Sequence, residues 1–429
     1  MLIIIKIKGV KLRFHTFFHL YNKPQNIFIM RKTLLSFLVI FALAGCSEYG
    51  DKSGLSESTA DFGLSSGKYS GDGVSGPAAG EGQGQGGAQI EPGQITAGEW
   101  SDLANWNFWN NLPQKEEFAK MHEYWSYNLK TRISVRLKDK SSNKLINIPI
   151  QLLNSSDKVL WESMSDNDGK AELWASLTSN KTVEAKGLKL RIGSEVFENV
   201  IPFSEGVNQL TLNISEPSQP KKIDVAFMVD ATGSMGDEME YLKVELVDII
   251  NQVKGKNASA IINTGAVFYR DEGDDYITRK SDFSTDLKRT VDFIKNQRAD
   301  GGGDYPEAVH TALNVTLKDL QWSSNATSRI AFLVLDAPPH YEPQIVSDIH
   351  KSVVLASLKG IKLIPVTASG IDKNTEFLMR YMAIATNGTY VFITNHSGIG
   401  NNHIEPSIGE YEIEYLNQLI VRLINKYLE

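Results

Sequence analysis

From about residue 221 onward, short apolar runs alternate with longer segments of helical periodicity. Ile223–Val229 is a continuous apolar run, as expected for a strand that is covered on both faces. Further strands are predicted at 261–269, 330–335, 361–366 and 389–393. Helices are predicted at 237–254, 285–297, 306–319, 343–359, 373–385 and 409–428. Strands that alternate with helices favour right-handed crossovers, so residues 221–429 are predicted to form an α/β domain with a doubly wound, mostly parallel, Rossmann-like sheet flanked by helices.

Residues 131–216 have a different pattern, with apolar side chains at every second position. Ile133, Val135 and Leu137 share one face of a predicted strand. Turn residues at 138–143, 154–157 and 167–169 separate the strands, and the pattern predicts a small all-β sandwich of about seven strands. The segment 165–171 resembles a turn of carboxypeptidase-regulatory-like and other Ig-like bacterial surface modules.

Residues 99–130 are rich in tryptophan and are predicted to be a helical segment, with a helix at 114–126. Trp100, Trp106, Trp109 and Trp125 lie here, before the first strand of the β sandwich. Packing in the core or between domains is the expected role of these side chains. A platform on which a glycan stacks is the alternative.

Residues 46–98 contain 14 glycines among serine, glutamine, alanine and aspartate. Such a composition cannot bury enough apolar area to form a core, so this segment is predicted to be a disordered tether. A flexible coil of this length would have a root-mean-square reach of roughly 40 Å.

An export signal is predicted at residues 30–45, where Arg31 and Lys32 precede an apolar run too short to span a bilayer. The run ends at Leu43-Ala44-Gly45-Cys46, which resembles the bacterial lipobox. The resemblance implies that Cys46 carries lipid and anchors the chain in the cell envelope, with the outer membrane as the expected location. Met30 is then the expected start, and residues 1–29 a spurious or extended N-terminus.

Charge and cysteine content limit the classes of partner. Residues 1–45 contain seven basic residues and no acidic residue. Residues 46–429 therefore have 37 basic and 51 acidic residues, a net charge of −14. A net acidic protein argues against a nucleic-acid partner, because binding to phosphates needs a basic face. Cys46 is the one cysteine, so a disulfide within the chain is excluded.

Oxygen-bearing side chains follow the predicted strands of the α/β domain. Asp230, Thr232 and Ser234 come directly after the first strand, and Asp336 ends the strand at 330–335. Asp304 lies in a glycine-rich loop that opens a helix. Because ligands of such sheets bind at the carboxyl ends of the strands, these five residues are predicted to hold one divalent cation, Mg²⁺ first and Mn²⁺ or Ca²⁺ as alternatives.

These residues resemble the metal-ion-dependent adhesion site of von Willebrand factor A domains, over about 200 residues of the chain. Tyr269-Arg270-Asp271, the glycines before Asp304, and the segment Asp336–His340 are most similar to the hemicentin-like branch. The family implies a binding protein that offers an open metal position to its ligand. A neutral threonine is typical where Asp304 stands, and a third carboxylate is expected to weaken the attraction of the site for an acidic ligand.

Other interpretations of the same residues are open. Asp230 and Ser234 are also compatible with simple capping of the following helix. Asp230 in Asp-Ala-Thr-Gly-Ser is similar to an aspartyl-phosphate nucleophile, although the lysine of that motif is replaced by Ala231. A hydrolase triad with Ser234 and His340 lacks the glycine of a nucleophile elbow.

The sequence therefore predicts a non-enzymatic, extracytoplasmic adhesion protein, bound to the membrane through lipid on Cys46, whose cation recognises a protein or a cell-surface polymer. No nucleotide is expected as a ligand. Residues proposed for the ligand-facing rim are Arg270, Asp271, Tyr305 and His340. Two alternatives are an envelope enzyme for phosphoryl transfer or hydrolysis, with Asp230 or Ser234 as nucleophile, and a structural protein whose metal only stabilises the fold.

Overall fold

The structure is a computed structural model that describes residues 90–177, 183–214 and 221–429. The expectations for the N-terminal extension, the export signal, Cys46 and the tether up to residue 89 lie outside these residues. Within the described residues, no helix combines the length and the apolar character required to cross a bilayer.

The described residues form fifteen strands and eight α-helices. The strands are β1 (Thr96–Trp100), β2 (Arg132–Asp139), β3 (Pro149–Leu153), β4 (Val159–Met164), β5 (Lys170–Trp174), β6 (Lys189–Ile192), β7 (Glu195–Phe197), β8 (Asn208–Leu212), β9 (Lys222–Asp230), β10 (Ile261–Tyr269), β11 (Thr278–Ser284), β12 (Ser328–Leu335), β13 (Ile361–Thr367), β14 (Tyr390–Ile393) and β15 (Ile413–Tyr415). The helices are α1 (Trp106–Asn111), α2 (Met121–Tyr124), α3 (Met239–Lys256), α4 (Leu287–Lys295), α5 (Val309–Lys318), α6 (Pro343–Leu358), α7 (Lys373–Ala385) and α8 (Leu416–Leu428).

An eight-stranded sheet organises the α/β part, in the order β11-β10-β9-β12-β13-β14-β1-β15. The five strands from β10 to β14 are parallel, and the pairings at both ends are antiparallel. Helices α3, α4 and α8 cover one face, and α5, α6 and α7 cover the other. The predicted α/β fold class with a mostly parallel sheet is confirmed.

The strand β1 differs from the sequence-based expectation, which assigned residues 96–98 to the tether and residue 100 to a helical segment. It lies between β14 and β15 and pairs antiparallel with both. Glycine at position 98 allows this close packing, because the Cβ of any other residue would lie only 2.5 Å from the ring of Phe392. The segment before the strand is also held: the buried carboxylate of Glu245 on α3 accepts hydrogen bonds from the backbone N–H groups of Gly93, Gln94 and Ile95.

Residues 131–214 contribute seven strands in two sheets, β5-β2-β8 and β4-β3-β6-β7, as the period-two pattern predicts. The core of this sandwich is continuous with the apolar layer under α5, α6 and α7. Polar contacts also join the two parts. Trp161 donates to the hydroxyl of Ser357 at 2.9 Å, and Asp166 pairs with Lys362 at 3.1 Å.

The tryptophan-rich segment packs between these two parts, as the packing interpretation expects. Trp109 stacks on Phe377 of α7 with ring centroids 5.1 Å apart, and Trp106 packs against Trp174 of the sandwich at 5.5 Å. The helix expected at 114–126 is replaced by two short 3-10 turns and the four-residue α2. Burial of aromatic rings, rather than helix propensity, decides the conformation here.

A buried ion network fixes this segment to α7. The Arg380 guanidinium, which has no exposed surface, donates to both oxygens of Asp102 at 2.7 and 2.9 Å and to Glu376 at 2.9 Å. Trp100 donates its ring N–H to the same Asp102 carboxylate at 2.9 Å. Removal of one partner from such a network leaves a charge buried without compensation.

We expect Asp102→Asn to lower the free energy of unfolding by about 3 kcal/mol, because Arg380 then loses a buried counter-charge. Urea unfolding followed by tryptophan fluorescence measures this change. The matched control is Asp348→Asn, which removes an exposed pair with Lys351 and should change stability by less than about 0.5 kcal/mol. Equal effects of the two substitutions would contradict a stabilising role for the buried network.

Candidate metal centre

The predicted ligands lie at the carboxyl ends of two neighbouring strands. Asp230 is the last residue of β9 and is fully buried. Asp336 directly follows β12, which pairs in parallel with β9, and is 4% exposed. The apolar sequences of both strands place them in the middle of the sheet, and this position brings the two carboxylates to the same edge.

Two hydroxyls are connected to Asp230 by hydrogen bonds. The Thr232 hydroxyl donates to Asp230 Oδ1 at 2.7 Å, and the backbone N–H of Thr232 donates to the same oxygen at 2.9 Å. The Thr232 and Ser234 hydroxyl oxygens are 3.1 Å apart. Neither the 3-10 turn Gly233–Asp237 nor α3 receives a side-chain hydrogen bond at its N-cap, so the capping interpretation is not supported.

Burial raises the pKa of both carboxylates, and nearby negative charges add to the rise. Burial raises the pKa of Asp230 to about 6, against the hydrogen bonds from Thr232. Burial and then the charge of Asp230 raise the pKa of Asp336 to about 7, and the Ser234 hydroxyl opposes that shift. Such shifts are typical of buried acids that share a site without a compensating positive charge.

One oxygen of each aspartate is left without a hydrogen-bond partner among the described residues, namely Asp230 Oδ2 and Asp336 Oδ1. Buried carboxylate oxygens are normally paired, so these two require an explanation. Two carboxylates with adjacent hydroxyls form the hard-oxygen donor set that suits a cation such as Mg²⁺. Among the described residues, no three acidic, histidine or cysteine side chains form a compact group. Carboxylates alone would therefore not complete such a site, and the hydroxyls of Thr232 and Ser234 would supply two of its donors.

Asp304 is exposed and lines the same cavity as Ser234 and Asp336. The cavity has a volume of about 360 Å³. Its wall includes the loop Gly301–Gly303, in which Gly301 and Gly302 have positive φ angles. Asp274 holds this loop in place, because its carboxylate accepts a hydrogen bond from the backbone N–H of Gly302 at 2.9 Å.

Glu307 is a member of this site that the sequence analysis missed. It is 3% exposed, lines the cavity, and its Oε2 is without a hydrogen-bond partner among the described residues. Burial, followed by the charges of four nearby aspartates, raises its pKa to about 9. A glutamate just before a helix is commonly solvated, and its sequence context carries no signal of this burial.

The proposed rim is only partly accessible. Arg270 and Asp271, expected in an exposed charged loop, are each 6% exposed, which corrects their assignment to the rim. Arg270 donates to the carbonyl of Ala231 at 3.2 Å, and Asp271 is hydrogen-bonded to His340 Nε2 at 2.7 Å. The charged groups of Arg270 and Asp271 therefore stabilise the surrounding loops through these hydrogen bonds. Tyr305 is 45% exposed, and His340 is partly exposed.

The arrangement of His340 also bears on the hydrolase alternative. His340 Nε2 faces Asp271, whereas the Ser234 hydroxyl lies beside that of Thr232. A nucleophilic serine needs a base within hydrogen-bond reach. In the described residues, Ser234 and His340 have other hydrogen-bond partners and do not form such a pair.

Known proteins are similar in sequence to part of the chain. An ariadne-like RING finger protein of Acanthamoeba polyphaga mimivirus is 37% identical over 120 residues, which are 28% of this chain and 11% of that protein. Alpha-protein kinase vwkA of Dictyostelium discoideum is 32% identical over 121 residues, 28% of this chain and 19% of the kinase. The chain thus spans less than a fifth of the length of either relative.

Two solved structures are also similar to part of the chain. BatB from Bacteroides thetaiotaomicron has 12% sequence identity and a TM-score of 0.33, over 48% of this chain and 98% of BatB. An aerotolerance-related membrane protein from Bacteroides fragilis has 13% identity and a TM-score of 0.32, with the same two coverages.

The family model described as the von Willebrand factor A domain matches residues 224–398. This range extends from β9 through β14, the strands that form the parallel part of the sheet and present Asp230 and Asp336 at its edge. Residues 224–398 are therefore similar to the von Willebrand factor A domain.

Proposed function

We propose that this protein is a lipid-anchored, extracytoplasmic binding protein that recognises a protein or a surface polymer through a divalent cation. Asp230, Thr232, Ser234 and Asp336 would hold the cation, with Asp304 as a fifth donor. The observation that carries this proposal is the pair of buried, unpartnered carboxylate oxygens on Asp230 and Asp336. Domains of this family generally mediate protein–protein interaction, which agrees with a role in binding or adhesion.

The cation, when bound, would supply positive charge and a coordination position for an oxygen of the partner. The chain itself provides the rest of the recognition site. The buried hydroxyl of Thr232 orients Asp230, and the glycine loop 301–303 leaves the cavity open beside Ser234. Mg²⁺ is the first choice because it accepts a small number of hard oxygen ligands and retains water at the others.

For cation binding, we expect MgCl₂ at about 100 times its dissociation constant to stabilise the wild-type protein by about 2.7 kcal/mol. Asp336→Asn should weaken Mg²⁺ binding about tenfold or more, since loss of even an indirect ligand contact commonly has that effect. Without the cation, the same variant should be at least as stable as wild type, because a buried repulsion with Asp230 is removed. Isothermal titration calorimetry and thermal unfolding in EDTA measure these three quantities.

Asp348→Asn serves as the control for this experiment, because Asp348 is exposed on α6 and lies outside the candidate centre. It should leave Mg²⁺ affinity unchanged. If wild type and Asp336→Asn bound Mg²⁺ equally, the assignment of Asp336 as a ligand would be wrong.

For recognition, we expect the protein to capture a component of its native envelope in Mg²⁺ and to release it in EDTA. Asp336→Asn should reduce capture by a factor similar to its loss of Mg²⁺ affinity. Affinity purification followed by mass spectrometry and glycan analysis measures this. Stabilisation by Mg²⁺ together with empty captures would instead favour a metal of purely structural role. Activity against phosphatase or esterase substrates that is lost in Ser234→Ala would favour the enzyme hypothesis.

For the anchor, we expect Cys46→Ser to move the protein from the membrane fraction to the soluble fraction, since lipid on Cys46 is the proposed attachment. Cell fractionation with immunoblotting, together with labelling by a fatty-acid analogue, measures this. Unchanged retention in the membrane fraction would refute the anchor and leave the cation site unaffected.

A further inference from the structure

We propose that the partner segment which enters the cavity is basic, a stretch of polypeptide carrying lysine or arginine, rather than an acidic segment. This inference rests on the proposed function and names the class of ligand for the same site. Its basis is the combination of unpaired acidic groups in the cavity and exposed tyrosine rings beside it.

The wall of the cavity is acidic. Asp304, Glu307 and Asp336 line it, and its other described lining residues are uncharged. Two of these acids have a buried oxygen without a hydrogen-bond partner, Glu307 Oε2 and Asp336 Oδ1. Glu307 is 3% exposed, so its free oxygen is directed at the cavity and not at bulk solvent. With the cation on Asp336, the oxygen of Glu307 is the one left without a partner, and an N–H group of a lysine or arginine would supply the missing hydrogen bond.

A divalent cation would not reverse this charge. Two positive charges on the cation would balance the two buried aspartates, Asp230 and Asp336. The exposed Asp304 in the cavity wall would then leave one formal negative charge even if Glu307 keeps its proton. Coordination of a partner's carboxylate would add another negative charge to a confined site. A neutral oxygen, from a hydroxyl or a backbone carbonyl, avoids that repulsion.

The nearby cationic side chains of the protein are already engaged. Arg270 donates to the carbonyls of Ala231 and Arg298 and lies over the ring of Tyr276. Lys373, at the start of α7, pairs with Glu376 and also donates to Ser407. Both cationic groups are hydrogen-bonded within the protein, and neither residue is among those that line the cavity.

One exposed aromatic ring lies in the cavity wall, and a second lies four residues along the chain from Ala337 of the wall. Tyr305 is 45% exposed and its hydroxyl donates to the carbonyl of Gly370, another residue of the wall. Tyr341 is 50% exposed and stacks on Tyr124 with centroids 3.8 Å apart. Burial raises the pKa of Tyr305 to about 12 and raises that of Tyr124, and the nearby Asp372 carboxylate adds to both shifts. Tyrosine faces next to carboxylates favour lysine and arginine through cation–π attraction.

The test is selection of a random-peptide display library on the purified protein in MgCl₂. We expect lysine and arginine to be enriched about fivefold in the selected peptides, as one or two cation–π or charge contacts would produce. The best peptide is then synthesised, and its affinity is measured by fluorescence anisotropy. Selection of acidic peptides, or no enrichment of lysine and arginine, would overturn the inference without using any variant.

Variants locate the binding surface. Tyr305→Ala should weaken the basic peptide about fivefold. Tyr415→Ala is the matched control, because Tyr415 is also exposed, at 39%, but lies on the edge strand β15. Equal losses in Tyr305→Ala and Tyr415→Ala would overturn the assignment to this cavity.

The two proposals can fail separately. Basic peptides whose binding is unchanged by EDTA would support the inference and contradict recognition through a cation. Acidic peptides whose binding requires Mg²⁺ would support the proposed function and contradict the inference.

Discussion

The electrostatic conflict between Asp230 and Asp336 is the constraint on which the candidate site depends. Both carboxylates are buried at one edge of the sheet, and each has an oxygen without a partner in the described structure. Burial and then the charge of Asp230 raise the pKa of Asp336, so the protein alone does not neutralise the site. A cation that compensates this charge would contribute to stability and to recognition at the same time.

The sheet can keep these two buried carboxylates close together because its central strands are packed against helices on both faces. β9 pairs in parallel with β10 and β12, and apolar side chains of α3 and α5 lie on its two sides. The positions of the two aspartates are therefore fixed by burial of apolar strands, a contribution independent of the cation.

The sequence predicted the centre of the fold better than its edges. Continuous apolar runs identified β9 and β10, and the ends of strands placed Asp230 and Asp336 together, because these features follow from local pattern and parallel topology. The strands β1, β11 and β15 were missed. β11 and β15 are edge strands, and the short β1 pairs only with strands distant in sequence, so all three depend on tertiary pairing. Glu307 and the buried Arg270 were misjudged for the same reason: burial of a charged side chain is decided by loops that pack from elsewhere in the chain.

The entry point of the chain into the sheet explains why a long tether would be useful. β1 runs antiparallel to β14, and its first residue, Thr96, contacts Thr394 just beyond the carboxyl end of β14. The chain therefore enters the sheet at the same edge that carries Asp230 and Asp336. A short linker to a lipid would hold that edge toward the membrane and restrict access to the cavity. If the proposed anchor holds, a tether with a reach of roughly 40 Å would let the domain turn, and the candidate centre would then face a partner away from the membrane.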